Sequence, residues 1–129
     1  MTKTPTPRPG AARRRAAEQR GHRTERHAAI LLRLKGFRIL ATRYRAPVGE
    51  IDLVACRGRL LLAVEVKSRA SLAEAGAAID PRQQARIAKA TEHFLAANPR
   101  YANHRIRFDT ILVTPGRLPR HIPDAWRIT

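Results

Sequence analysis

The chain has 129 residues, 26 Lys and Arg against 10 Asp and Glu, a formal net charge of +16 and one cysteine. That length bounds it to one domain burying about two-thirds of its unfolded surface. Cys56 alone excludes a disulfide framework and fits a reducing cytoplasm, where it reads as a small packing residue. No apolar run approaches the ~18 residues of a membrane span, and no secretory segment is visible. The basic balance points to nucleic acid as the partner, with an anionic membrane surface or ribosomal RNA as the bland alternative.

Residues 1–20 read as a basic, largely disordered arm. Arg8, Arg13, Arg14, Arg15 and Arg20 face only Glu18, and Pro5, Pro7, Pro9 and Gly10 disfavour a helix at its start. Such an arm either wraps phosphates without reading sequence or merely solubilises. The remaining residues, 21–129, form the expected domain. Thr24 is placed to cap a helix from Glu25 to about Lys35, stopped at Gly36. Ala28, Ala29 and Leu32 follow Glu25 at helical spacing, so Glu25 shares the inward stripe, an odd place for a carboxylate without a task. It either reaches a site on the sheet or pairs with Arg26 or Arg43. Phe37–Tyr44 reads as a strand leading into a hairpin.

Ile51–Ala55 and Leu60–Val66 are short apolar runs separated by Arg57-Gly58-Arg59, the signal of that hairpin. With Gly58-Arg59 as a two-residue loop, residue 57 pairs with 60, 55 with 62, and Asp52 faces Glu65, Cβ atoms about 5 Å apart. With Arg57-Gly58 as the loop, Glu50 faces Glu65 and Asp52 is its diagonal neighbour. Alternation puts Lys67 on the face of Glu65, and Glu50 on that of Asp52. Either register gathers acids on one face, and facing like charges destabilise a ladder unless something offsets them. A Mg²⁺ ion does so, being held by one or two carboxylates plus waters and substrate phosphates. The bland alternative is an exposed face of weak Glu65–Lys67 and arginine pairs.

Ala70–Ile79 is a small-residue loop that either contacts substrate or merely connects. Asp80-Pro81 opens a second helix as N-cap and first helical residue. Gln83, Ile87, Ala90 and Phe94 form its buried stripe, and Asn98-Pro99 ends it. Ile106–Thr114 reads as a strand, Pro115-Gly116 as a turn, and Ile122–Ile128 as the closing strand with Trp126 packed on the sheet. His22, His27, His93, His104 and His121 lack zinc-ligand spacing. No Gly-rich phosphate loop precedes a Lys-Ser/Thr pair.

Gly-Glu-Ile-Asp-Leu at 49–53, followed by Val-Glu-Val-Lys-x-Arg at 64–69, closely resembles the YraN-like family of uncharacterised bacterial proteins. Arg107-Phe108-Asp109 and Glu25 also look like the family, and the resemblance covers about residues 21–128. It implies an α/β fold of the restriction-endonuclease and Holliday-junction-resolvase kind: a mixed sheet flanked by two main helices. It further implies an Asp…Glu-x-Lys nuclease core, matched by Asp52, Glu65 and Lys67, in which the acids bind Mg²⁺ or Mn²⁺ and the lysine assists the water. Glu25 is similar to the helical acid that supplements the site in resolvase-like members. Three positions depart from the pattern: Arg43 and Asp124, where asparagine is usual, and Gln83, where lysine is usual.

The resulting expectation is a metal-dependent endonuclease acting on DNA rather than RNA, branched or structured DNA included, in a cytoplasmic protein that could pair as a homodimer. Asp52, Glu65 and the Val66 carbonyl hold the ion, with Glu50 behind them. Arg43, Arg45, Arg69 and Gln83 contact the nucleic acid. The rival classes are a nucleic-acid-binding module that kept the fold without the chemistry, and an adaptor whose arginine arm docks an acidic protein.

Overall fold

In the computed structural model, the described residues are 24–68 and 80–128. The arm at 1–20, Arg69 and the loop at 70–79 lie outside them.

Helix α1 (residues 24–34) carries Ala28, Ala29 and Leu32 on its buried side. Thr24 is itself helical and buried, one turn before Ala28 on the same stripe, so it does not cap the helix from outside as the sequence suggested. The other end agrees with expectation. Gly36 takes φ 88, the Phe37 N–H donates to the Leu32 carbonyl (2.9 Å), and the Gly36 N–H donates to the Arg33 carbonyl (3.0 Å). These bonds form a Schellman stop, which needs a left-handed residue where a side chain is strained. Phe37 folds back into the core beside Leu32, which delays the first strand to Arg38.

The sheet has five strands: β1 Arg38–Ala46, β2 Gly49–Arg57, β3 Leu60–Ser68, β4 Arg105–Val113 and β5 Arg120–Trp126. They lie side by side in chain order, all neighbours antiparallel except β3 and β4, which are parallel. A parallel neighbour needs a crossover, and helix α2 (Pro81–Ala97) supplies it. The Asp80 side chain accepts from the Arg82 N–H, Pro81 opens α2, and Asn98 is its C-cap. The closing strand starts two residues before the expected Ile122, because Arg120 and His121, which do not read as strand residues, pair with Leu112 and Ile111.

Alternation along the central strands divides the interior into two layers. Leu53, Ala55, Leu62, Val64, Ile111 and Val113 pack on α1, while Val54, Cys56, Leu61, Ala63 and Phe108 pack with Ile87, Ala90 and Phe94 of α2. Fully burying one such leucine or valine contributes roughly 1.5–3 kcal/mol. Trp126 stacks on Phe108 at 4.1 Å between ring centroids, as the sequence suggested. The α2 side is seated by Gly49, where an added Cβ would lie 2.0 Å from the Arg86 carbonyl oxygen. Only glycine lets the start of β2 approach the helix backbone so closely.

Arg43 (φ 48) and Asp124 (φ 51) are the non-glycine residues with left-handed backbone among those described. Asparagine tolerates that conformation better than most residues, which fits the asparagine that the family resemblance leads one to expect at both positions. At Arg43 the turn re-phases β1, so that Tyr44 and Ala46 join Ala41 against α2. No helix among the described residues is long and apolar enough to cross a membrane.

Candidate active site

The β2–β3 ladder pairs Arg57 with Leu60, Cys56 with Leu61, Ala55 with Leu62, Val54 with Ala63 and Leu53 with Val64. This is the register of a Gly58-Arg59 loop, and continuing it brings Asp52 opposite Glu65. The regular ladder stops one pair short of these two acids. Beyond it, the Val66 N–H donates to Asp52 Oδ2 (2.8 Å) in place of a backbone carbonyl. One residue's N–H and C=O point to the same edge of a strand, so the Val66 carbonyl is directed toward Asp52 as well.

Asp52 and Glu65 line a cleft of about 270 Å³ together with Glu50, Gln83, Arg86 and Ile87. Burial pushes both carboxyl groups upward. Glu65 rises from 4.5 to about 8, first by burial, then by the neighbouring Asp52, with Lys67 acting in the opposite direction. Asp52 is raised by burial and by the charges of Glu25 and Glu50, against the lowering effect of hydrogen bonds from Val66 and with Glu65. The pair therefore keeps a proton at neutral pH. Two oxygen ligands sharing a proton are a donor set suited to a hard divalent cation, which competes for the proton's place. No cluster of three or more His, Cys, Asp or Glu side chains fit to hold a metal occurs among the described residues. The candidate donors are two carboxylates and a carbonyl.

The other expected site residues fall at different distances from this cleft. Gln83, in the first turn of α2, donates to Glu65 Oε1 at 2.6 Å. Glu25 is held by Arg43, whose Nε lies 3.0 Å from both carboxylate oxygens, yet its charge still acts on Asp52. Arg45 pairs with Glu50 at 3.3 Å. Lys67 does not line the cleft, and Arg69 lies outside the described residues.

Two neighbours of the pair were not singled out by the sequence. Arg86 lies one turn after Gln83 and lines the cleft, a spacing that could have revealed it. Thr110 sits beside Glu65 in the parallel β3–β4 register, buried, its Oγ1 without a hydrogen-bond partner among the described residues. Only knowledge of that pairing could have found it.

Behind the site, β4 and β5 are joined by Asp109, which is fully buried. Arg107 grips both of its oxygens (2.9 Å each), the Asp124 N–H donates to Oδ1 (2.9 Å), and His121 Nε2 lies 2.7 Å from Oδ2. Lys35 Nζ lies 2.8 Å from the other ring nitrogen of His121. An ammonium can only donate, so Nε2 carries the hydrogen given to Asp109. Burial alone would raise Asp109, but the bonds from His121, Arg107 and Asp124 outweigh it and hold the carboxyl at about 2.

Known proteins share both the sequence and the fold. A Holliday junction resolvase, Hjc from Archaeoglobus fulgidus, superposes with a TM-score of 0.53 and 23% identity, covering 78% of this chain and 73% of that one. The sheet and its two helices thus have the restriction-endonuclease-like fold of the resolvases. A UPF0102 protein of Rhodopseudomonas palustris (strain BisB5) is 51% identical over 127 residues, covering 98% of this chain and 97% of its own. Another, from Parvibaculum lavamentivorans, is 50% identical over 112 residues, covering 87% and 84%. The model of the uncharacterised protein family UPF0102 matches residues 24–113. The family resemblance carried by Gly49–Leu53 and Val64–Arg69 is thereby borne out, and the chain belongs to the UPF0102 family.

Proposed function

We propose that the protein is a divalent-metal-dependent endonuclease acting on DNA. The observation that carries this reading is the Asp52–Glu65 pair: two carboxyl groups brought together at the open end of a hairpin, in a cleft of a very basic protein. Asp52, Glu65 and the Val66 carbonyl would hold Mg²⁺ or Mn²⁺. When bound, the ion would supply Lewis-acid stabilisation of charge building on a phosphoryl oxygen. The chain's own groups do the rest. Lys67, two residues from Glu65 on the same face and outside the cleft lining, acts on Glu65 through its charge. It would have to swing toward the cleft to orient an attacking water or meet charge on the phosphate. Gln83 fixes the Glu65 carboxyl through its 2.6 Å bond. Arg86 offers a guanidinium to a phosphate at the cleft mouth. Glu25 and Arg43 tie α1 to β1, and the Glu25 charge acts on Asp52.

One observation favours a second reading, a DNA-binding module without chemistry. Glu65 and Glu25 are both already engaged within the protein, by Gln83 and Arg43.

Cleavage assays separate the two. Linear duplexes and four-way junctions are incubated with the wild type, Asp52→Asn and Glu65→Gln in Mg²⁺ or Mn²⁺. The endonuclease reading expects turnover by the wild type alone, with DNA binding in both variants unchanged or tighter, since each loses a negative charge near phosphate. Equal loss of binding and cleavage, or no turnover by the wild type, would count against it.

A further inference from the structure

Helix α2 carries a row of charge that the acidic cleft does not absorb. Arg82, Arg86, Lys89 and His93 recur at spacings of four, three and four, which places them on one side of the helix, and all four are exposed. At 1.5 Å per residue the row is about 16 Å long. It touches the cleft at Arg86, which lines it with Asp52, Glu65 and Gln83. Toward its far end the His93 ring is held through Nδ1 by the Tyr44 hydroxyl at 2.6 Å.

The ordinary explanation for such a row is a solvated helix face laced with ion pairs. Here such pairs do not form. Among the described residues, Arg82, Arg86 and Lys89 form no ion pair, and neither does Glu92, the one acid of α2. Beyond the N-cap Asp80, the first turn of α2 contains no acid but does contain Arg82, although the helix dipole disfavours cations there. No ion pair among the described residues holds these three cations in the free protein, and Arg86 faces the carboxyl groups of the cleft. The geometry of the row suits a regular line of anions: neighbouring members lie about 4.5–6 Å apart along the helix, so the four side chains can meet successive phosphates of one strand over three steps.

We infer that this face of α2 is the track for a DNA backbone, along which Arg82, Arg86, Lys89 and His93 hold successive phosphates of the strand running from the cleft. The inference rests on the endonuclease reading for the direction of the strand, not for the binding itself.

The test is binding of a labelled duplex of ~30 base pairs to the full chain, measured by anisotropy between about 50 and 200 mM salt, where the slope of log K against log[salt] counts phosphate contacts. Arg82→Gln/Arg86→Gln/Lys89→Gln is compared with Arg26→Gln/Arg33→Gln/Arg117→Gln. The second triple variant removes the same charge from exposed positions on α1 and the turn beside it. Circular dichroism and thermal melting confirm that both fold. The α2 variant is expected to flatten the slope by about 2.7 and weaken binding at least about tenfold, while the control changes the slope by less than about 1. Equal slopes for the two variants, an α2 variant like the wild type, or no duplex binding by the wild type would overturn the track. The endonuclease reading fails separately. A wild type that binds through α2 but cleaves in neither metal removes that reading and leaves the track. A wild type that cleaves while the α2 variant binds normally does the reverse.

Discussion

Consider the metal-free protein taken from pH 5 to pH 8. Glu65 has its pKa raised from 4.5 to about 8, so across this window the folded protein keeps a proton that the unfolded chain has released. The sign is therefore the reverse of an ordinary salt-bridged acid: stability falls as the pH rises from 4.5 toward 8. A whole-proton difference corresponds to about 1.4 kcal/mol per pH unit. The cleft is open to water, which screens part of the effect, so about 2 kcal/mol over the window is the expected loss. Glu65→Gln keeps an oxygen to accept the Gln83 bond and has nothing to titrate. Chemical denaturation of both proteins in chelator, at intervals from pH 5 to 8, measures the difference. Contributions from other groups cancel between wild type and variant when the sites are independent. The variant should gain about 2 kcal/mol on the wild type from the acid to the alkaline end. A difference that stays flat, or shrinks with pH, would refute a shared proton between Asp52 and Glu65.

Asp109 should show the opposite pH behaviour. Its pKa is depressed from 3.8 to about 2, so its contribution is complete above its unfolded value and is lost as pH falls toward 2. Asp109→Ala strands Arg107 and His121 and should cost about 3–5 kcal/mol in urea unfolding at neutral pH; a cost below about 1 kcal/mol would mean that β5 is not held by this network. Gly49→Ala puts a Cβ 2.0 Å from the Arg86 carbonyl oxygen, which α2 can relieve only by moving away from β2. Roughly 1–3 kcal/mol of stability should be lost, together with metal affinity as Gln83 shifts off Glu65. Unchanged stability and affinity would show that the helix is not seated there.

Some of this was legible because local chemistry decides it. A two-residue loop around Gly58 made the hairpin and its acid-bearing face legible, while the choice of Gly58-Arg59, and with it Asp52 opposite Glu65, came from the ladder itself. Asp80-Pro81 and Asn98-Pro99 bound α2, because cap and imino-acid chemistry act within one turn. What stayed hidden depends on tertiary pairing. Thr110 reaches Glu65 through the parallel β3–β4 register, which no local pattern encodes. The early start of β5 depends on His121 meeting Asp109, twelve residues away in the chain. The Arg43–Glu25 bond was among the alternatives visible at helical spacing, but choosing it required the left-handed turn at Arg43. The α2 row was written in the spacing of Arg82, Arg86, Lys89 and His93, and its meaning appeared only when Arg86 was found in the cleft.

Everything proposed for the cleft depends on Asp52 and Glu65 together holding a divalent cation. Titration calorimetry of Mg²⁺ and Mn²⁺ into the wild type and the Asp52→Asn/Glu65→Gln variant, alone and with a DNA duplex present, puts that to the test. The wild type should bind with release of about 0.9 proton per ion at pH 7, as expected for a group titrating near 8, and the variant should not bind. Equal binding by both proteins, or none by the wild type even with DNA, would contradict a metal site at this pair.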